Sequence, residues 1–315
     1  MSWNAITPSE LLLYCVKRVE GDLPDGSRSV GTGYICGVEK ADGAAIPVLI
    51  TNKHVVKDVQ HLRVFMHTAV ATAETVPDGG HTFLESPGLL TPIIMHPDCT
   101  VDLCAILLGP MVNLWKQANP GRAVFYKILT ENLIMKNNEL ELLDVAEQVL
   151  MVGCPNGIWD EHNGFPLFRR GVTASHPALN FQGRPEFALD IGVYSGSSGS
   201  PVFLIESGLI RTKKGENNFT AGSRFGMLGT LWGGPRINER GELKIEPVPT
   251  GAAIAIETGV RMHLGYAIKA TETLRLLQVV TERFGRVAGA DPIAVETLVP
   301  PTPEAIYKAT GLRVP

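Results

Sequence analysis

Charge is scarce in this 315-residue chain, where 19% of residues are Asp, Glu, Lys or Arg, against roughly 25% in average soluble chains. The charges sum to −4 and the isoelectric point is near 6.1, so no overall basic field is available to hold nucleic acid or anionic lipid. Neither partner class is expected. No run approaches the roughly 18 apolar residues that a membrane-spanning helix needs. The opening MSWNAITPSE lacks the basic start and apolar core of a secretion signal, and LLLYCV is soon cut by Lys17 and Arg18. The expectation is a soluble, cytoplasmic protein. Cysteines are few: Cys15, Cys36, Cys99, Cys104 and Cys154 form an odd set with no C-x-x-C pair and no His at ligand spacing. They support neither a complete disulfide framework nor a zinc site, and read as reduced core thiols.

Apolar residues, by contrast, make up 44% of the chain, enough for a substantial core. The 33 glycines and 22 prolines follow no G-X-Y period and so mark many turns between short strands. Apolar runs at 11–19 and 30–38 flank the turn-rich GDLPDGSRS, a hairpin signal, and further strand candidates follow at 47–52, 61–67, 92–95 and 103–108. MVNLWKQA suggests a short helix, after which polar sequence runs to about 145. A second set of strand candidates lies at 148–153, 167–174, 187–193, 202–205, 225–231, 252–257 and 265–268, with 205–225 read as an exposed polar loop. TETLRLLQVVTERFG places Leu274, Leu277, Val280 and Phe284 on one helical face, with Thr271 or Thr273 as a cap and Gly285 as a stop. This divides the chain into a β-rich half over 1–110, a connection over 111–145, a second β-rich half with a closing helix over 146–285, and an extension over 286–315.

Three segments carry chemistry: ITNKHVV around His54, HPDCTVDLCAI around Asp102, and YSGSSGSPVF around Ser198. A serine hydroxyl is a weak nucleophile at neutral pH, so an imidazole must take its proton as it attacks a carbonyl carbon. A carboxylate on the other ring nitrogen fixes the tautomer and stabilises the imidazolium. Glycines around Ser198 allow a tight backbone that aims successive N–H groups at one point. Residues Gly196, Ser197 and Ser198 are therefore the candidate oxyanion hole, with the amides of Gly196 and Ser198 as donors.

Together these segments resemble the trypsin-like (chymotrypsin-fold) serine proteases, and most nearly the bacterial glutamyl endopeptidase branch. TNKHVV and SGSPVF are similar to that branch's His and Ser signatures, and LGTLWGG (228–234) resembles its substrate-binding strand. Looser likeness runs over 10–285 through GTGYICGV, VGCPNG with RRGVTAS, and LGYAIKATETLRLL. The resemblance implies an all-β fold of two six-stranded antiparallel β-barrels with a C-terminal helix. It implies an endopeptidase needing no metal or organic cofactor, with a protein or peptide as substrate. His54 would be the general base and acid, Asp102 its orienting partner and Ser198 the nucleophile. Asp98 competes with Asp102, which is favoured by the apolar LCAI after it. Ser197 and Ser200 compete with Ser198, which fits the family's G-x-S-G.

The substrate-binding positions implied are Gly192, Val193, Leu231, Trp232, Gly233 and Gly265. Glutamyl endopeptidases use a His and a Thr to bind a P1 glutamate where this chain has Leu231 and Val193. Trypsin uses an aspartate to attract a basic P1 where this chain has Gly192. An unpaired buried charge is costly, so an apolar or small P1 side chain is expected, in a pocket left open by Gly233 and Gly265. Ser197 stands where trypsin has the aspartate that receives the freed N-terminal amine. The oxyanion loop is then either preformed or ordered by an activating protein partner, the substrate or the tail. The reading from another functional class is a latent or non-catalytic module that uses the protease fold to bind extended peptides.

Overall fold

The computed structural model describes residues 7–39, 45–88, 91–155, 158–211, 219–240, 257–261 and 263–284. It begins with a helix, α1 (Pro8–Cys15), where the apolar run LLLYC suggests a strand. The deciding signal is a capping box: Thr7 Oγ1 accepts the Glu10 amide, Glu10 accepts the Thr7 amide, and Pro8 occupies the first turn. Strand pairing starts only at β1 (Val16–Asp22), which turns through Gly26 into β2 (Arg28–Glu39). The hairpin expected around GDLPDGSRS is present.

The first sheet continues with β3 (Ala45–Thr51), β4 (His61–Val70), β5 (His81–Pro87), β6 (Ile93–Met95) and β7 (Cys104–Leu107). Its order is β5-β4-β1-β2-β3-β7-β6, and β8 (Arg122–Phe125) pairs with β4. This unit thus has eight strands, two more than the six expected. The eighth lies inside the segment read as a connection, because Ala123, Val124 and Phe125 bury their side chains against it. Helix α3 (Leu108–Ala118) joins β7 to β8 and buries Met111 and Val112, and a short helix α4 (Asn137–Leu140) precedes the second unit.

Strands β9 (Gln148–Gly153), β10 (Leu167–Thr173), β11 (Glu186–Asp190), β12 (Pro201–Arg211), β13 (Phe219–Gly233) and β16 (Leu264–Lys269) close the second unit as a six-stranded barrel, in the order β10-β11-β16-β13-β12-β9. A separate pair is formed by β14 (Arg236–Arg240) and β15 (Glu257–Arg261). The polar stretch read as a loop at 205–225 is largely β12 and β13, paired from Ile205↔Phe225 to Arg211↔Phe219. Strand β9 reaches β12 only at Val202–Leu204, and β16 meets β13 only from Gly229 onwards. Among the described residues the outer part is therefore a two-stranded ribbon, with no third strand to demand apolar alternation. The strand expected at 252–257 falls outside the described residues except for Glu257.

Helix α5 (Ala270–Phe284) follows β16 without a break, so Thr271 and Thr273 lie within it rather than capping it. It buries Leu276, Leu277 and Val280 in a core shared by both units, with Tyr34, Cys36, Val152, Phe203 and Met227. Two further cores fill the units separately. The cysteines are free, four of them buried and Cys99 exposed. Among the described residues no helix is long and apolar enough to cross a membrane.

Candidate active site

Strand β3 delivers the first candidate residue. It ends at Thr51, and helix α2 (Lys53–Val56) follows, burying Val55 and Val56 while His54 stays outside. Asn52, fully buried, does not cap this helix. Its Nδ2 donates to the Asp102 carbonyl at 2.7 Å and so fastens the His54 turn to the Asp102 loop. Asp102 grips His54 twice: Oδ1 accepts the His54 amide at 3.1 Å, and Oδ2 lies 2.5 Å from Nδ1. A carboxylate at this distance places the ring proton on Nδ1 and leaves Nε2 as the basic nitrogen. Asp98 makes no hydrogen bond to His54, its Oδ1 accepting the amide and hydroxyl of Thr100 at 2.9 and 2.7 Å.

Ser198 lies on the turn between β11 and β12. Gly196 and Gly199 both take the left-handed backbone, at φ of 82° and 87°, a region other residues enter only with strain. Gly199 has a second reason to be glycine: a Cβ there would lie 1.9 Å from the Thr32 carbonyl oxygen. Thr32 organises the junction. Its amide donates to the Ser198 carbonyl at 2.8 Å, and its hydroxyl donates to the Gly196 carbonyl at 2.9 Å. Its own carbonyl accepts the Thr51 hydroxyl at 2.7 Å. Gly31, next along β2, packs so closely on Val55 that an added Cβ would meet its Cγ1 at 2.6 Å, with the Ser198 carbonyl at 3.3 Å. The His54 helix and the Ser198 turn therefore sit on the same stretch of β2.

Within the turn, the Ser197 amide donates to the Tyr194 carbonyl at 3.0 Å, and Gly199 donates to Leu231 at 2.8 Å. Ser197 thus has no amide to offer an oxyanion, which corrects its inclusion in the expected hole. The amides of Gly196 and Ser198 make no backbone hydrogen bond among the described residues and remain available as two donors. Ser198 Oγ donates to the Trp232 carbonyl at 3.3 Å, and no hydrogen bond joins it to His54. Ser197 and Ser200 are buried, with hydroxyls that make no hydrogen bond.

The expected substrate pocket is altered most. Val193 and Leu231 are buried, and a Cβ on Gly265 would meet Val193 Cγ2 at 2.7 Å and Leu231 Cδ1 at 3.0 Å. These three fill core rather than line open space. Gly192 faces a cation: a Cβ there would lie 2.4 Å from Arg169 Nη2 and 3.2 Å from His263 Cε1. Arg169 also donates to the Gly192 carbonyl, and its guanidinium lies 4.7 Å from the centre of the Tyr194 ring. A Cβ on Gly233 would meet nothing within 4 Å. Gly233 follows a bulge at Trp232, whose ring carries the Arg184 guanidinium at 5.3 Å. A groove of about 590 Å³ bounded by Gln148, Arg170, Glu206 and Leu209 contains none of these residues.

Sequence reading missed Asn52, Thr32 and Arg169. Asn52 sits inside the TNKHVV motif and Thr32 inside GTG, but nothing in either string shows the partner 50 or 164 residues away. Among the described residues no group of three or more His, Cys, Asp or Glu side chains is gathered as a metal site.

No protein-family model matches the sequence, and no curated protein is similar to it. Similar solved structures include a serine endoprotease from Yersinia pestis, 13% identical, covering 91% of this chain and 70% of that one at a TM-score of 0.46. The HtrA-type protease AlgW with a tripeptide is also 13% identical, with 89% of this chain and 64% of that one covered at 0.47. The Rv3671c protease of M. tuberculosis in its active form is 14% identical, with 93% and 89% covered at 0.43. No family model and no curated protein ties the sequence to the glutamyl endopeptidase branch.

Proposed function

We propose that the chain is a serine endopeptidase with Ser198 as nucleophile, His54 as base and Asp102 as the group that orients it. The observation that carries this reading is the double grip of Asp102 on His54, which leaves Nε2 unprotonated beside the strand that also holds Ser198. In the first step Ser198 Oγ forms a bond to the carbonyl carbon of the peptide and its proton passes to Nε2. The negative oxygen is held by the Gly196 and Ser198 amides, each such donor contributing roughly 3 kcal/mol to the transition state. The C–N bond breaks as His54 returns the proton to the departing amine. Water, deprotonated by His54, then hydrolyses the acyl-enzyme. Engaging His54 requires Ser198 Oγ to leave the Trp232 carbonyl by a side-chain rotation between staggered wells.

At P1, a basic side chain is disfavoured, because Gly192 offers no carboxylate and Arg169 lies where one would project. A small or apolar P1 against the open Gly233 is the first reading. The Arg169 guanidinium favours a second, an acidic P1, since among the described residues it makes no ion pair with a carboxylate. A P1-randomised peptide library separates the two.

The position of Ser198 Oγ also favours a second functional reading, a latent module awaiting a partner in the cytoplasm. The test is a fluorophosphonate probe applied to the full chain and to Ser198→Ala, with and without cell lysate. Labelling of the wild type alone supports the enzyme, and labelling only with lysate supports partner gating. Absence of labelling in both conditions overturns catalysis and leaves a peptide-binding module.

A further inference from the structure

The residue that opens the Asp102 segment is His96, whose imidazole is wholly buried. Its Nδ1 accepts the Asp98 amide at 3.1 Å, and its own amide donates to the Leu103 carbonyl at 3.0 Å. Nδ1 also lies 3.2 Å from the Asp98 carbonyl, so the Asp98 backbone holds this edge of the ring and leaves Nε2 for another partner. That nitrogen lies 3.2 Å from Oε2 of Glu272, in the first turn of α5. The contact does not meet the geometry of a full hydrogen bond, yet the two groups are buried against each other. Glu272 also accepts from Arg275 Nη1 at 2.8 Å.

Between His96 and Leu103 lies a tight loop. The Val101 amide donates to the Asp98 carbonyl at 3.2 Å, and the same carbonyl accepts Lys53 Nζ at 3.2 Å, one residue before His54. The route from α5 to the candidate site is therefore short: Glu272 to His96, His96 to the Asp98 amide, and Asp98 to both Lys53 and the turn that carries Asp102. Contact with His96, followed by the charge of Arg275, holds the Glu272 carboxyl below its usual range.

We propose that His96 and Glu272 are positioning residues through which the closing helix sets the aim of Asp102 at His54. The proposal rests on Asp102 being the orienting partner of His54, as in the function proposed above. It gives α5, and whatever engages it, a direct influence on the basicity of His54. The other charged groups around the pair are Asp98 and Lys53 on the Asp102 side and Lys269 and Arg275 on the helix side.

The experiment compares Glu272→Gln with wild type in the full chain, reading the His54 pKa by NMR and the rate of fluorophosphonate labelling at Ser198. Loosening Asp102 removes stabilisation of the imidazolium, so the His54 pKa is expected to fall by roughly 0.5–1 unit. Labelling is expected to slow roughly 3- to 30-fold. Where peptide hydrolysis is measurable, kcat falls while KM holds, and the acidic limb of kcat/KM moves down with the His54 pKa. His96→Asn, whose Oδ1 can accept the Asp98 amide but whose side chain stops short of Glu272, should repeat the shift. A lower melting temperature with an unchanged His54 pKa would show a merely structural pair and overturn the proposal. If wild type is never labelled, the proposed enzyme fails, while the His54 pKa still decides the positioning role. Should Glu272→Gln not fold, Glu272→Asp, which keeps the charge and withdraws it by one methylene, is read in the same way.

Discussion

The amide of Thr32 donates to the carbonyl of Ser198 at 2.8 Å, so a strand of the first unit carries the candidate nucleophile of the second. The same threonine fixes the Gly196 carbonyl and takes the Thr51 hydroxyl, one residue before Asn52 and three before His54. The site is thereby built across the junction, with its two halves registered by one residue. Tyr34, two positions along β2, repeats the arrangement deeper in the core, its hydroxyl 2.8 Å from Thr230 and 3.0 Å from Thr273.

Gly199 is the most exacting point of that junction. Gly199→Ala would bring a methyl group to 1.9 Å from the Thr32 carbonyl at a φ of 87°. The expected cost is roughly 2–4 kcal/mol of stability, read as a lower denaturation midpoint, with loss of probe labelling at Ser198. An unchanged midpoint would show that the turn and β2 are not in this contact.

Asp102→Asn should lower kcat/KM by about 10³–10⁴, because the amide no longer holds His54 in the tautomer that frees Nε2. Asp98→Asn should cost no more than about tenfold, since Asp98 binds Thr100 and makes no hydrogen bond to His54. Equal losses in the two variants would contradict the assignment of Asp102. The measurement is steady-state hydrolysis of a peptide that the wild type cleaves.

Gly192→Asp places a carboxylate where trypsin-like enzymes attract a basic P1, but the new side chain would meet Arg169 Nη2 first. An internal ion pair is the expected result, with no gain in cleavage after Lys or Arg. A strong gain in a P1 library would show that Arg169 does not occupy this space.

Lys17 provides a pH test. Its side chain is buried, with Nζ 3.2 Å from His67 Nδ1, and burial draws its pKa down from 10.5 to about 7. In the unfolded chain the amine is protonated up to its ordinary pKa, so unfolding takes up a proton between about pH 7 and 10.5. Wild-type stability should therefore rise with pH through that window and carry no Lys17 dependence below it. Lys17→Met removes this dependence, so its stability relative to wild type should be greatest at pH 7 and below and should decline toward pH 10. Parallel melting curves across the window would refute the buried amine.

The order His54, Asp102, Ser198, the turn before β2 and the closing helix are all legible in the sequence, because each rests on local pattern. Where local pattern had two outcomes, the reading could go astray. LLLYC is apolar enough for a strand, yet the Thr7–Glu10 capping box makes it helix. The residues after Ile205 are polar enough for a loop, yet they pair as a ribbon. Leu231 lies in its expected strand and Val193 just past the end of β11, yet both turn their side chains into the barrel, closely packed on Gly265.

By itself the sequence determined which residue types could do the chemistry, and that scarce charge, many turns and short apolar runs would build β units. Those properties are carried by composition and by neighbours along the chain. Only the tertiary structure decided which carboxylate meets His54, which amides remain free for an oxyanion, and that Arg169 stands beside Gly192. Each of these depends on contacts between residues tens to hundreds of positions apart. Such contacts are set by strand register and core packing, and short-range pattern carries no record of them.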